Sequence, residues 1–263
     1  MNAPEHLNQR VERERNYHER VWEESHRLQT RFQHVFLCRH VLAEEARHSA
    51  LIRATVEGKE VLDYGCADGS YSVELIKAGA RFVHGLDLDE VTIQRARDRN
   101  LPNANFQVGD AHHLPWPDAS FDVVVGRSIL HHLDLEVAVA ELSRVLRPGG
   151  SVFFVEPLRH NPLGAVFRSL TPQARTADEL PLSRKQVLWM DSVFGRANHG
   201  WAICLTMPVG GFTSLLPGVG PDNLVLNAAS ALDAALCHTP LRWWMGMAYL
   251  RWGAADHPTL TPS

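Results

Sequence analysis

The stretch Val61-Leu-Asp-Tyr-Gly-Cys-Ala-Asp-Gly-Ser70 decides the reading of this chain. A short apolar run leads into an acid, Asp63, and then into a turn punctuated by Gly65 and Gly69 before a helical pattern opens at Ser70. Val61 and Leu62 supply a buried strand, the glycines let backbone approach a ligand closely, and Ser70 stands where a helix cap is wanted. Such a strand-to-helix turn reads as the binding loop of a nucleotide-type cofactor.

Spacing discriminates between cofactors. A dinucleotide fingerprint needs G-x-G-x-x-G, whereas the glycines here stand as Gly65-x-x-x-Gly69 with Asp63 two residues ahead. A carboxylate there repels a pyrophosphate but suits a ligand with an ammonium group and no phosphate, and S-adenosylmethionine has that chemistry. Two later strand-like runs also end in acids, Phe82 to Asp87 and Asn105 to Ala111 with Asp110. Asp87 falls roughly twenty residues beyond the turn, where this class of fold places a ribose-binding carboxylate. Its two oxygens can accept from both ribose hydroxyls, and Asp110 can accept from an adenine amino group. A single Asp at a strand end is ordinarily a turn former or cap, but three at successive strand ends point to a site.

Outward from the turn, strand patterns at Val61 to Asp63, Phe82 to Leu86, Phe106 to Val108, Phe121 to Val125 and Val152 to Val155 alternate with helical ones. The helices are expected at Ser70 to Ala78, Asp89 to Arg99 and Leu135 to Leu146, with Gly79 and Pro148-Gly149-Gly150 marking reversals. This alternation predicts an α/β fold: a Rossmann-like, doubly wound parallel sheet with ligands beyond the carboxyl ends of its strands.

From about Glu60 to Glu156 the chain resembles the class I S-adenosylmethionine-dependent methyltransferases of the small-molecule type. Besides the opening turn, the resemblance rests on Leu114-Pro-Trp-Pro-Asp-Ala-Ser-Phe-Asp122, Leu130-His-His-Leu133 and Val145-Leu-Arg-Pro-Gly-Gly150. It implies that Asp63, Gly65, Ala67 and Gly69 surround the methionine part of the cofactor, Asp87 and Leu88 the ribose, and Asp110 and Ala111 the adenine. Gly126 and Arg127, just past the fourth strand, would line the methionine end. Ala67 departs from the family's usual glycine. The resemblance also implies seven strands, with Trp201 to Leu205 as the sixth and Leu241 to Trp252 as the seventh.

Residues 1–57 read as an N-terminal helical cover and 58–263 as the catalytic domain, with substrate-side insertions at 157–195 and 206–239. In the cover, Leu28, Phe32, Val35 and Phe36 share a helical face. By resemblance, Tyr17 could reach the cofactor, with His18 and Trp22 beside the substrate. The 263 residues, 45% hydrophobic, suffice for one full core, and a net charge of −4 offers no nucleic-acid surface. Charges interrupt the N-terminal stretch before any leader could form, so the protein is expected in the cytoplasm, and the four scattered cysteines suit a reducing compartment.

Between Trp201 and Pro221 no residue is charged, yet Pro208, Gly210, Gly211, Pro217, Gly218 and Gly220 cut the run too short for a membrane span. It reads instead as a mostly helical apolar insertion in which Leu224, Ala228, Ala231, Leu232, Ala235 and Leu236 share a face. Such a piece could cover an apolar acceptor, join two copies in a homodimer or touch a membrane surface. Candidates for a general base are His131, Glu156 and His160, with Arg159 and Asn161 as substrate-orienting groups. No metal is expected, because the adjacent pairs His112-His113 and His131-His132 should point apart. The resulting expectation is transfer of methyl from S-adenosylmethionine to oxygen or carbon of a small, largely apolar metabolite such as a quinone, polyketide, terpenoid or lipid-like molecule. The rival is a cofactor-binding regulatory or scaffold protein without transfer.

Overall fold

In the computed structural model the described residues are Glu12, 30–165, 179–195 and 197–253. Tyr17, His18, Trp22 and Leu28 of the expected cover lie outside them. The apolar runs form β1 (Glu60–Tyr64), β2 (Phe82–Asp87), β3 (Ala104–Val108), β4 (Phe121–Arg127), β5 (Leu146–Pro157), β6 (Gly200–Ala202) and β7 (Met247–Trp252). They join in one sheet of order β3-β2-β1-β4-β5-β7-β6. The pairings from β3 to β5 are parallel, while β7 runs antiparallel to both β5 and β6. This is the seven-stranded, Rossmann-like sheet expected.

Helices α1 (Arg39–Val56), α2 (Ser70–Lys77), α3 (Glu90–Asp98), α4 (Leu135–Val145) and α5 (Arg184–Phe194) cover the sheet, followed by α6 (Thr206–Thr213) and α7 (Leu224–Leu236). Alternation along each strand sorts side chains to the two faces. Val61, Val123, Val125 and Phe153 pack with Ile52 and Val56 of α1 and Leu75 of α2. Leu62, Tyr64, Val124, Val152 and Phe154 pack on the other face with Leu142 of α4 and Met190 of α5. Each such fully buried aliphatic or aromatic side chain contributes about 1.5–3 kcal/mol by leaving water. Asp89 and Asp134 cap α3 and α4 by accepting from Val91 and Val137 N–H. At α2 the cap is Gly69, with φ +71°, not Ser70. The Ser70 N–H and hydroxyl both donate to Asp68 instead, so an acid two residues upstream does the capping.

Two differences from expectation lie in the last third of the chain. The sixth strand stops at Ala202, because Ile203 adopts φ +70°, a left-handed conformation costly for a β-branched residue. The seventh begins only at Met247: Pro240–Trp244 coils as a 3-10 turn, with Thr239 Oγ1 accepting from Leu241 N–H, and Gly246 N–H then donates to Ile203 O. On α7 the buried residues are Leu226, Ala229, Ser230 and Asp233, whereas Leu224 is 85% and Leu232 56% exposed. The expected apolar stripe does share one face of α7, and apart from the half-buried Leu236 that face points outward.

The reason is Asp233. Its fully buried carboxylate accepts from the N–H groups of Cys204, Leu205 and Thr206 and from the Thr206 hydroxyl, capping α6 across the insertion. An acid paired with orphan helix-start donors fixes the rotation of α7 more strongly than a few exposed leucines can. Gly210 completes the seat of α6, since a Cβ there would come within 2.8 Å of Val35 backbone nitrogen. Because β6 runs parallel to β5, this insertion leaves the sheet at the carboxyl edge of the parallel strands. No helix of the described residues is long and apolar enough to cross a membrane.

Two stability predictions follow from these positions. Asp233→Ala strands several buried donors and should cost at least about 3 kcal/mol in urea unfolding; a loss below about 1 kcal/mol would mean that Asp233 is not the anchor of α6. Ala67 sits at φ +44°. Ala67→Gly should therefore raise stability by about 0.5–1 kcal/mol, and a decrease would show that the turn is not strained there.

Candidate cofactor and acceptor site

Strand order reverses between β1 and β4, where Tyr64 pairs with Gly126, and the Gly65–Gly69 turn leaves β1 at that crevice. Side chains are excluded from the start of the turn: Gly65 has φ +76°, and a Cβ on it would lie 2.5 Å from Ile129 Cδ1. The turn is held from β2. Gly65 and Cys66 N–H both donate to Leu86 O, at 2.9 and 3.1 Å, and Ala67 N–H donates to Asp87 Oδ2 at 2.9 Å. Asp87 Oδ1 accepts from Asp89 N–H at 3.0 Å, so the carboxylate is fixed at both oxygens while each keeps lone-pair capacity.

Asp63 lies within β1 rather than beyond it, is nearly buried, and accepts from the Ser72 hydroxyl. Burial pushes its carboxyl up to about 7, against the pull of Ser72, with Asp87 adding to the rise and Arg127 opposing it. Asp110 stands two residues past β3. Its Oδ1 accepts from His112 N–H at 2.9 Å and from His112 Nδ1 at 2.7 Å. Burial alone would raise this carboxyl, but the His112 hydrogen bonds outweigh it and hold it below the usual range. His112 Nε2 accepts from Asp134 N–H at 2.9 Å, which puts the ring proton on Nδ1. The almost fully buried His112 thus orients Asp110 from the cap of α4, a role that sequence spacing did not reveal.

Gly126 and Arg127 are the last two residues of β4, not residues past it, and Gly126 is packed under the Phe154 ring. Arg127 forks onto Glu45 of α1, at 2.7 and 3.1 Å, and lies over the Tyr71 ring at 5.5 Å. Leu88 is half-buried, and Ala111 is buried with its carbonyl accepting from Tyr64 Oη at 2.6 Å.

Beyond β4, His131 Nδ1 bonds Glu156 Oε2 of β5 at 2.7 Å, and Glu156 Oε1 accepts from Ile129 and Leu130 N–H, both at 2.9 Å. Glu156 is fully buried with both oxygens occupied, so it orients His131 and is no free base. His160 and Arg159 are exposed just beyond β5, with Arg159 Nε donating to Pro181 O. Asn161 is also fully buried, donating to Ile203 O and accepting from Gly164 N–H, so it is a strut of its loop and not a group presented to a ligand. His131 and His132 do not point apart: in the 3-10 turn Leu130–His132 their ring centroids are 4.1 Å apart at 40°.

These residues fit S-adenosylmethionine. A turn that opens and closes on glycine meets Asp87 and Asp110 at adjoining strand ends, the arrangement a ligand with a diol and an adenine but no phosphate calls for. Residues 62–154 match the methyltransferase domain family. A protein of Mycolicibacterium smegmatis described as a probable S-adenosylmethionine-dependent methyltransferase is 48% identical over 99 residues, 37% of this chain and 37% of that one. A fatty-acid O-methyltransferase of the same organism is 38% identical over 112 residues, 41% of each. The chain thus spans about two fifths of the length of these curated relatives. Among solved structures, the methyltransferase bound to the Trm112 activator of Haloferax volcanii superposes with a TM-score of 0.60 at 18% identity, over 93% of this chain and 98% of that one, which speaks to the fold alone. Motif, sheet order and match agree: over residues 62–154 the chain carries a class I S-adenosylmethionine-dependent methyltransferase domain.

Proposed function

We propose that the protein transfers the methyl group of S-adenosylmethionine to oxygen or carbon of a small, largely apolar acceptor. The observation that carries this reading is Asp87, the last residue of β2, fixed between the Ala67 and Asp89 amides beside the point where strand order reverses. In this reading Asp87 takes the ribose hydroxyls and Leu88 packs beside them. Asp110 takes the adenine amino group next to Ala111. Asp63, the turn from Gly65 through Ala67 to Gly69, Gly126 and Arg127 enclose the methionine end. The cofactor, when bound, supplies an activated methyl group, so the protein's task is to align the acceptor and exclude water. His131, its Nδ1 proton held by Glu156, keeps Nε2 as a lone-pair nitrogen for the acceptor's proton. His160 and Arg159, exposed at the same edge, are further acceptor-side groups.

An apolar acceptor is supported by the fatty-acid O-methyltransferase among the relatives and by the insertion at the carboxyl edge, where Phe212, Leu215, Leu224 and Val225 are all more than half exposed. The same face is available for peripheral membrane contact or for a second copy.

The calorimetric affinity for S-adenosylmethionine should fall at least about tenfold in Asp87→Ala, which removes charge-assisted hydrogen bonds. Unchanged affinity would remove the ribose assignment. Methyl transfer to fatty acids, phenols or quinones by the intact protein is expected, and tight cofactor binding without transfer to any of them would favour the regulatory rival. Asp63 gives a pH signature with a definite sign. Its folded pKa of about 7 lies above the ordinary 3.8, so the folded chain binds the proton more tightly. That stability is fully present below pH 4 and is lost as pH rises through about 7. Urea titrations should therefore show wild type losing ground to Asp63→Asn by a few kcal/mol over that window; parallel profiles would show that Asp63 ionises normally.

A further inference from the structure

We propose that His131, His132 and Glu179 form a binding site for a divalent transition-metal ion at the acceptor side of the cleft. A ring nitrogen of each histidine and a carboxylate oxygen of Glu179 all lie within 4.8 Å of one another, and no other trio of His, Cys, Asp or Glu comes as close among the described residues. A tetrahedral ion with ligands at about 2.0–2.1 Å needs its ligand atoms about 3.4 Å apart, so modest side-chain rotations close the triangle.

The surroundings are those of a metal-ligating histidine. Such a histidine gives its other ring N–H to a carboxylate, which fixes the tautomer and makes the ligating nitrogen more basic. His131 does this through Nδ1 to Glu156, whose remaining oxygen is pinned by two backbone N–H groups. The 3-10 turn brings the His132 ring onto the same side as the His131 ring. Glu179 is brought in by the chain returning from β5, where Leu180 N–H donates to His131 O at 2.8 Å and Leu182 N–H to Pro157 O at 3.0 Å.

Two imidazoles and one carboxylate suit Zn²⁺ and its neighbours Co²⁺ and Ni²⁺ rather than Mg²⁺ or Ca²⁺, and three protein ligands leave a coordination position open. An acceptor hydroxyl or carboxylate bound there would be polarised and more readily deprotonated, with His131 serving as ligand in place of proton acceptor. That use rests on the methyl-transfer reading, whereas ion binding does not.

The test is equilibrium dialysis of chelator-treated full-length protein against Zn²⁺, with Co²⁺ visible absorption as a second readout. One ion per chain is expected. His132→Ala and Glu179→Gln should each weaken binding at least tenfold, while His238→Ala, an exposed histidine elsewhere, should not. Calorimetry with S-adenosylmethionine on the same samples reports whether each variant is folded and judges the cofactor reading separately. No stoichiometric uptake by the wild type, or uptake insensitive to both His132→Ala and Glu179→Gln, would overturn the site.

Discussion

The hydrogen bond from Ala67 N–H to Asp87 is the constraint on which the site depends. It ties the turn after β1 to the end of β2, and the neighbouring Gly65 and Cys66 amides reinforce it on Leu86 O. A turn with bare glycines is otherwise free to take many conformations, and fixing each residue costs about 1–2 kcal/mol of entropy. Bonding its amides to the adjacent strand covers part of that cost and leaves the same carboxylate aimed at the crevice. Position of the turn and chemistry of the acid are thus set by one contact.

Buried carboxylates organise the rest of the carboxyl edge in the same manner. Glu156 on β5 gathers the loop after β4 by accepting from Ile129, Leu130 and His131. Asp233 on α7 gathers the start of α6. Burying a charge is costly unless every lone pair is met by a donor, and at both sites several donors converge on one acid. A chain that keeps such acids specifies the loop around each of them closely, which is what a site assembled from the ends of separate strands requires.

The parallel core was legible because its signals are local: apolar runs and glycine turns spaced at the β/α period place β1 to β5 and α2 to α4 within one or two residues, save β5, which starts at Leu146. The acids Asp87 and Asp110 were visible for the same reason. What the sequence hid was settled by contacts between distant segments. The anchor of α7 was hidden because Asp233 answers to residues 27–29 positions earlier, a pairing that no periodicity reports. His112 looked like half of an idle pair until its two nitrogens met Asp110 and Asp134. Asn161 looked like a substrate group until its amide met Ile203 O, 42 positions away. Adjacent histidines were expected to diverge as they do in a strand, but a 3-10 turn stacks them.

If the crevice between β1 and β4 holds S-adenosylmethionine in one orientation, a crystal structure of the protein with S-adenosylhomocysteine will show it. Homocysteine is expected over the Gly65–Gly69 turn, with both ribose hydroxyls on Asp87 and the adenine beside Asp110. Density for the ligand elsewhere, or a ribose turned away from Asp87, would contradict it.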